Sequence, residues 1–402
     1  MTPTRPRLDA LDVLRGIVMI IMMIDHTRDF VNAQNFQFDP TDVTRTTVPL
    51  FFTRWITHFC APLFVFLAGT SIYLQKMRGK SGLSSFLIKR GIWLVVLELT
   101  LLKVVIWFNL AGTFTWLLQV IWVIGIGMIV MAGLVRLPTW VSGVAGAGMI
   151  ALHNLTDGIR TPGWAGPTGR DLSAGGKLWI LLHQGGPMPI ASSAGPVVLV
   201  LYSLIPWVGV VAAGYAFGRI YELDWERRRK LLVQIGTGCV LAFLTLRLAN
   251  IYGDPSRWAS QPTTAMTIVS FFNVSKYPAS LLFLLMTIGP GLLALAAFEG
   301  WRAESRIKAF FMTFGRVPLF YYMLQWIWAH GMAVVLAAVT GKEVAYLFRG
   351  LPDMYTGAPR DAGFSLVITW LVWLVGVFAL YPLCKWYAGV KARRKDWWIS
   401  YT

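Results

Sequence analysis

The sequence predicts an all-α polytopic membrane protein with about ten transmembrane helices in one domain that covers residues 1–402. Hydrophobic residues make up 56% of the chain and charged residues only 14%, a balance that argues against a soluble globular protein. The apolar residues lie in runs close to the roughly 20 residues that a bilayer-crossing helix needs. The predicted spans are residues 11–31, 51–75, 86–110, 115–135, 138–153, 196–218, 231–250, 277–298, 309–338 and 363–384.

The basic residues predict how these spans are oriented. Lys and Arg number 36 against 19 Asp and Glu, and most of them fall in alternate short loops and in the two tails. Because Lys- and Arg-rich segments stay inside, both termini are predicted to be cytoplasmic. The pattern also predicts contact with anionic membrane lipids and argues against a nucleic-acid partner. These residues are Arg5, Arg7, Lys76, Arg78, Lys80, Lys89, Arg90, Arg136, Arg219, Arg227, Arg228, Arg229, Lys230, Arg302, Arg306, Lys308, Lys385, Lys391, Arg393, Arg394 and Lys395.

The first span carries several ionisable residues, which are costly in a membrane and indicate a functional site. Asp12, Arg15, His26 and Asp29 share one helical face, with Arg15 and His26 about 16 Å apart along the axis. Asp12 is expected to pair with Arg15, and Asp29 to orient the imidazole of His26. Asp25 points about 100° away, towards another partner. His26, Asp29 and Asp25 are therefore catalytic candidates, and the alternative is a polar network that only holds the helix in register.

The second predicted span adds a second histidine. Arg54, His58 and Pro62 follow i, i+4 spacing, and His58 is expected at nearly the depth of His26 in the membrane. We therefore expect the two histidines to share a cavity, one as base or nucleophile and the other as proton donor. The alternative is an interfacial His58 that is hydrogen-bonded to the backbone.

Polar residues at the outer face predict a substrate vestibule. Residues 154–195 and 251–276 form long loops containing Trp and other aromatic side chains, and we expect them to cap the membrane core. Each polar residue here also has a plain structural explanation as a helix cap or core histidine. The substrate-binding candidates are Arg54, His153, Asn154, Asp157, Lys276, Tyr277 and His330.

Four basic residues at the cytoplasmic end are candidates for binding the phosphates of a large anionic ligand. They are Arg15, Lys89, Arg90 and Arg316. Snorkelling towards the membrane surface is the alternative explanation for Lys89 and Arg90. Arg316 fits that explanation less well, because it precedes Pro318 and lies a turn or two into the membrane.

Metal chemistry has little support in the sequence. The chain has five histidines, without the HxxxH or HxxEH spacing of common metal sites. Cys60, Cys239 and Cys384 fall within predicted spans. We therefore predict no metal site and no disulfide.

Several stretches resemble a known family. Leu11-Asp12-Val13-Leu14-Arg15-Gly16, followed by His26, looks like the signature of membrane acyltransferases that O-acetylate envelope glycans. The wider chain resembles bacterial relatives of the heparan-α-glucosaminide N-acetyltransferase catalytic domain. The supporting stretches include LDVLRGIVMIIMMIDHTRDF, HNLTDGI, NVSKYPASLLFLLMTIGPGLL and FGRVPLFYYMLQWIWAH.

The resemblance implies a ten-helix transmembrane acyltransferase fold in a bacterial inner membrane, which uses cytoplasmic acetyl-CoA to acylate a glycan or glycolipid on the far side. It implies that His26 matches the essential histidine of the glycan O-acetylases and Arg15 their arginine near the acyl-CoA entrance. The alternatives are a proton-coupled secondary transporter of an anionic or sugar substrate and a non-catalytic membrane protein. The acceptor, the acyl chain length, an acyl-histidine intermediate and the oligomeric state, a homodimer included, stay open.

Overall fold

The fold is mostly helical. The computed structural model describes residues 8–109, 114–301, 304–394, 396 and 399, so the basic residues Arg5, Arg7, Arg302 and Lys395 lie outside the described residues. The helices are α1 (Asp9–Val31), α2 (Val48–Ile56), α3 (Cys60–Met77), α4 (Leu83–Leu97), α5 (Lys103–Trp107), α6 (Val120–Leu134), α7 (Thr139–Leu152), α8 (Ala174–Trp179), α9 (Leu204–Phe217), α10 (Trp225–Ala249), α11 (Thr264–Phe272), α12 (Leu281–Gly300), α13 (Arg306–Arg316), α14 (Pro318–Val339), α15 (Asp353–Thr356) and α16 (Leu366–Arg393). The strands are β1 (Phe114–Leu118), β2 (Gly186–Pro189) and β3 (Val197–Val200).

Among the described residues, six helical segments are long and apolar enough to cross a membrane. They are Val48–Met77, Leu204–Glu222, Trp225–Ala249, Leu281–Gly300, Pro318–Val339 and Leu366–Arg393. The chain is thus an integral membrane protein. The other predicted spans also contain helices, but these do not meet both conditions. α1 carries many charged residues, and α6 and α7 are shorter than the roughly 20 residues of a full crossing. The count of ten spans and the cytoplasmic termini stay predictions.

Two predicted spans begin with strands rather than helix, so the all-α prediction is wrong at these points. β3 pairs in parallel with β1 and antiparallel with β2, which gives the sheet order β1-β3-β2. The β-branched residues Val197, Val198 and Val200 favour a strand, and all three are buried. The sheet places Gln119, directly after β1, against the polar centre of the molecule.

The second and ninth predicted spans are interrupted helices. A 3₁₀ turn, Thr57–Phe59, separates α2 from α3. Pro62 cannot donate a backbone hydrogen bond to the His58 carbonyl, which accounts for the break one turn before it. The ninth span is divided at Val317, and Pro318 stands at the first position of α14, where its missing N–H costs nothing.

The two long loops contain regular elements. Residues 154–195 include α8, a π-helical turn (Ile180–Gln184) and β2, and residues 251–276 include α11. Their role as a cap stays a prediction.

α1 is the central helix of the bundle. It packs against α3, α12, α13, α14 and α16, and most of its side chains are buried. α13 crosses it with main chain against main chain: a Cβ on Gly16 would lie 1.9 Å from the Phe311 carbonyl oxygen, and a Cβ on Gly315 would lie 1.9 Å from that of Asp12. Glycine at both positions permits this close approach.

This close crossing predicts that Gly16→Ala destabilises the fold. The added methyl group meets backbone that cannot rotate away, and overpacking of this kind costs about 1–3 kcal/mol, against a gain of at most about 1 kcal/mol in helix propensity. The midpoint of thermal unfolding in detergent should fall. Gly148→Ala in α7 is the matched control, because a Cβ there has no atom within 4 Å, and it should unfold at or above the wild-type temperature. Equal midpoints of thermal unfolding for Gly16→Ala and wild type would contradict the close packing of α1 against α13.

Candidate active site

Two cavities lie back to back along α1. The Arg15 cavity has a volume of about 550 Å³ and is lined by residues that include Arg15, Arg90 and Arg316. The His26 cavity has a volume of about 530 Å³ and is lined by residues that include Asp25, His26 and Arg54. Met22, Val120 and Tyr322 line both cavities, so a thin layer of side chains separates them. We call this layer the septum.

The Arg15 cavity is strongly basic. Its lining has one carboxylate, Asp12, and six cationic side chains: Arg15, Arg78, Lys80, Arg90, Arg316 and Lys391. Arg15 donates from Nη1 to Asp12 Oδ1 at 3.2 Å, as predicted, and to the Gly315 carbonyl at 3.2 Å. Arg316 Nε lies 3.6 Å from the other Asp12 oxygen, so one carboxylate contacts both arginines.

Not every predicted basic residue reaches this cavity. Arg15, Arg90 and Arg316 line it, but Lys89 is exposed and absent from the described lining. The reason is helical geometry: Lys89 points about 100° away from Arg90 on α4. Lys391, from the far end of the chain, takes part instead, and nothing in the sequence around it indicated this.

Aromatic side chains hold His26 in the second cavity. Its ring stacks on Trp326 with centroids 3.5 Å apart and an interplanar angle of 17°, and meets Tyr322 edge-on at 5.6 Å. Nδ1 is buried with no hydrogen-bond partner among the described residues. Because Nδ1 faces the packed interior, Nε2 is the nitrogen available to a molecule in the cavity.

Asp25 lies at the centre of a charge cluster beside His26. Arg54 donates from Nη1 to both Asp25 oxygens, at 2.6 and 2.5 Å. Arg28 Nη1 lies 2.7 Å from Asp25 Oδ1, and Lys276 Nζ lies 3.7 Å from Oδ2. The prediction that Asp25 serves a partner away from the His26 face is therefore confirmed. Arg28 was missed, although its place three residues after Asp25 was an available signal.

Asp29 has a different partner from the one predicted. Arg28 donates to it from Nη2 at 2.7 Å, and its carboxylate does not bond to the buried Nδ1 of His26. The prediction that Asp29 orients the His26 ring is therefore wrong at Nδ1. Asp29 pairs with Arg28 instead, because a guanidinium attracts a carboxylate more strongly than a neutral imidazole does. Asp29 still lines the His26 cavity.

His58 does not share the cavity with His26, so that prediction is wrong. Its side chain is 0% exposed, its ring packs against Phe283 at 5.4 Å, and neither ring nitrogen has a partner among the described residues. The 3₁₀ turn at Thr57–Phe59 breaks the i, i+4 register that relates His58 to Arg54. Arg54 consequently lines the cavity while His58 packs behind it.

The predicted outer residues divide into two groups. Lys276 and Tyr277 line the His26 cavity. His153, Asn154, Asp157 and His330 do not belong to its described lining, which corrects the predicted vestibule. His330 is stacked between Phe30 at 4.5 Å and Phe108 at 4.2 Å, and its Nδ1 donates to the Ile106 carbonyl at 2.8 Å, so it is a core residue.

The fold and these paired cavities describe a membrane-embedded protein with a polar core. Residues 7–252, more than half of the chain, match the family described as "Heparan-alpha-glucosaminide N-acetyltransferase, catalytic". The chain belongs to this family. The match confirms the resemblance of the wider chain to this catalytic domain, and it implies acyltransferase activity. No curated protein matches this chain.

The charge cluster predicts that Asp25→Asn destabilises the protein. Removing the carboxylate leaves Arg28, Arg54 and Lys276 without their shared anion, and breaking a buried ion pair typically costs about 3–5 kcal/mol. The midpoint of thermal unfolding should fall clearly below that of wild type. Asp42→Asn is the control: its side chain accepts hydrogen bonds from Thr44 on the surface, and asparagine preserves the acceptor. Similar midpoints of thermal unfolding for Asp25→Asn and Asp42→Asn would contradict a stabilising role for the charge cluster.

Proposed function

We propose that this protein transfers an acetyl group from cytoplasmic acetyl-CoA to a sugar hydroxyl or amine on the other side of the membrane. The observation that carries the proposal is the pair of cavities that meet at the septum, one rich in cations and the other containing His26. Membership of an acetyltransferase family supports the same reaction class.

The Arg15 cavity is suited to the donor. Coenzyme A is a polyanion that does not cross a bilayer, and the six cationic side chains around one carboxylate provide partners for its phosphates. Leu67, Ile124 and Met128 form an apolar part of the same lining, which suits the less polar pantetheine arm. In the proposed pose the thioester reaches the septum while the nucleotide stays at the basic end.

The proposed chemistry uses His26 as a general base. Nε2 takes the proton of the acceptor hydroxyl or amine while the acceptor atom bonds to the thioester carbonyl carbon. The tetrahedral intermediate collapses, the carbon–sulfur bond breaks, and the proton passes to the leaving CoA thiolate. Arg54 and Lys276 provide positive charge near the oxyanion, and Asp25 holds both in place.

The acceptor is proposed to occupy the His26 cavity. Phe38, Tyr277 and Tyr355 line it together with charged groups, a combination that suits a sugar with apolar faces and polar edges. A glycan or glycolipid with a free hydroxyl or amine is the proposed class. The positive-inside pattern supports a cytoplasmic Arg15 cavity and a His26 cavity at the outer face of a bacterial inner membrane.

The base role predicts that His26→Gln lowers acetyl transfer by about 10²–10⁴-fold. The measurement is acceptor-dependent release of CoA thiol from acetyl-CoA, with glucosamine as the probe because it offers an amine and hydroxyls. The same variant should keep its stabilisation by acetyl-CoA in a thermal-shift assay, since the donor site is separate. Wild-type turnover in His26→Gln would exclude His26 as the base.

The donor site predicts that Arg316→Gln weakens acetyl-CoA binding by about 10–100-fold, since a charge-assisted hydrogen bond contributes about 1.5–3 kcal/mol. Isothermal titration calorimetry of the detergent-solubilised protein measures this. Arg227→Gln is the matched control, because its side chain is 78% exposed and is absent from the described lining of the Arg15 cavity. The absence of any acetyl-CoA binding to wild type would favour the transporter alternative.

A further inference from the structure

Three residues of metal-binding types converge outside the two cavities. His153 opens a 3₁₀ turn directly after α7, Asp157 follows that turn, and His183 lies in the π-helical turn Ile180–Gln184. One potential ligand atom from each residue lies within 4.8 Å of the other two. The sequence alone did not indicate this group, because a long loop separates His183 from Asp157.

The distances bring three potential ligand atoms within reach of one small cation. His183 Nε2 lies 3.3 Å from His153 Nδ1, 3.4 Å from Asp157 Oδ1 and 3.0 Å from the His153 carbonyl oxygen. The carbonyl oxygen also accepts a hydrogen bond from the Thr156 hydroxyl at 2.6 Å. In the tautomers that leave His153 Nδ1 and His183 Nε2 without a hydrogen, both nitrogens and the Asp157 carboxylate present lone pairs to a cation.

The spacing agrees with tetrahedral zinc. Zn–N and Zn–O bonds of about 2.0–2.1 Å place neighbouring ligand atoms about 3.3–3.4 Å apart at the corners of a tetrahedron. The two distances from His183 Nε2 to the ring nitrogen of His153 and to the Asp157 carboxylate fall at these values. Imidazole and carboxylate are also ligands that zinc commonly takes in proteins.

The surroundings are those of a built site. His153 is 4% exposed and His183 is 2% exposed, and Nε2 of His153 is buried with no partner among the described residues. Asn154 donates from Nδ2 to the second oxygen of Asp157 at 2.9 Å, which orients the carboxylate. Trp179 stacks on His183 with centroids 5.0 Å apart and covers it.

We propose that His153, Asp157 and His183 bind one Zn²⁺ ion, with water at the fourth position. The site joins the end of α7 to the segment that contains α8, and so closes the loop between Asp157 and His183. Asn154 extends the connection, because its Oδ1 accepts from the backbone N–H of Leu281 at the start of α12. The ion holds residues 154–195 on the helical bundle and takes no part in the reaction at His26.

Metal analysis of the purified protein tests this site. Protein carrying a tag without histidine is purified from zinc-supplemented culture, and bound metal is measured by mass spectrometry; wild type should hold about one zinc per chain. His183→Gln and Asp157→Asn should hold at least tenfold less, because even changes around a zinc ligand cost about 10–100-fold in affinity. His26→Gln is the matched histidine control and should keep its zinc.

A stability measurement gives a second readout. EDTA should lower the thermal midpoint of wild type, added zinc should restore it, and Asp157→Asn should respond to neither, since metal binding contributes to folding stability. Equal zinc in His183→Gln and wild type would overturn the proposal, as would folded wild type that takes up no zinc. A stoichiometric metal other than zinc would overturn the assignment to zinc.

Discussion

Burial of charge on α1 is the constraint on which the rest of the structure depends. A membrane helix that carries Asp25, Arg28 and Asp29 is unstable against lipid, so it must lie inside the bundle and find counter-ions there. Arg54 and Lys276 come from distant parts of the chain, and both lie close to Asp25 Oδ2. The ion pairs of Asp25 thereby connect α1, α2 and the segment before α12. Asp25, Arg54 and Lys276 also line the His26 cavity.

The other end of α1 is held by a different means, and the two together set the spacing of the site. Gly16 and Gly315 bring two backbones into contact, while Asp12 pairs with Arg15 and contacts Arg316. α1 is therefore fixed at both ends, with about three helical turns between its arginine and its histidine. A helix fixed in this way keeps the Arg15 cavity and the His26 cavity at constant separation.

Regular helical periodicity made much of the arrangement of charged residues on α1 predictable from the sequence. The Asp12–Arg15 pair, the separate direction of Asp25 and the arrangement of Arg15 and His26 along one helix all follow from 3.6 residues per turn. Prediction failed where the helix is interrupted or the partner is remote. The 3₁₀ turn after Arg54 moved His58 out of register, while Trp326 and Lys391 reach the cavities by tertiary packing that local sequence does not encode.

The thin septum also has an electrical consequence. In the proposed orientation, with the two cavities hydrated from opposite sides of the membrane, most of the membrane potential would fall across the side chains of Met22, Val120 and Tyr322 rather than across the full bilayer. One elementary charge moved through 100 mV corresponds to about 2.3 kcal/mol. His26 would lie at the edge of this field, so the free energy of a proton gained or lost there would depend on the membrane potential.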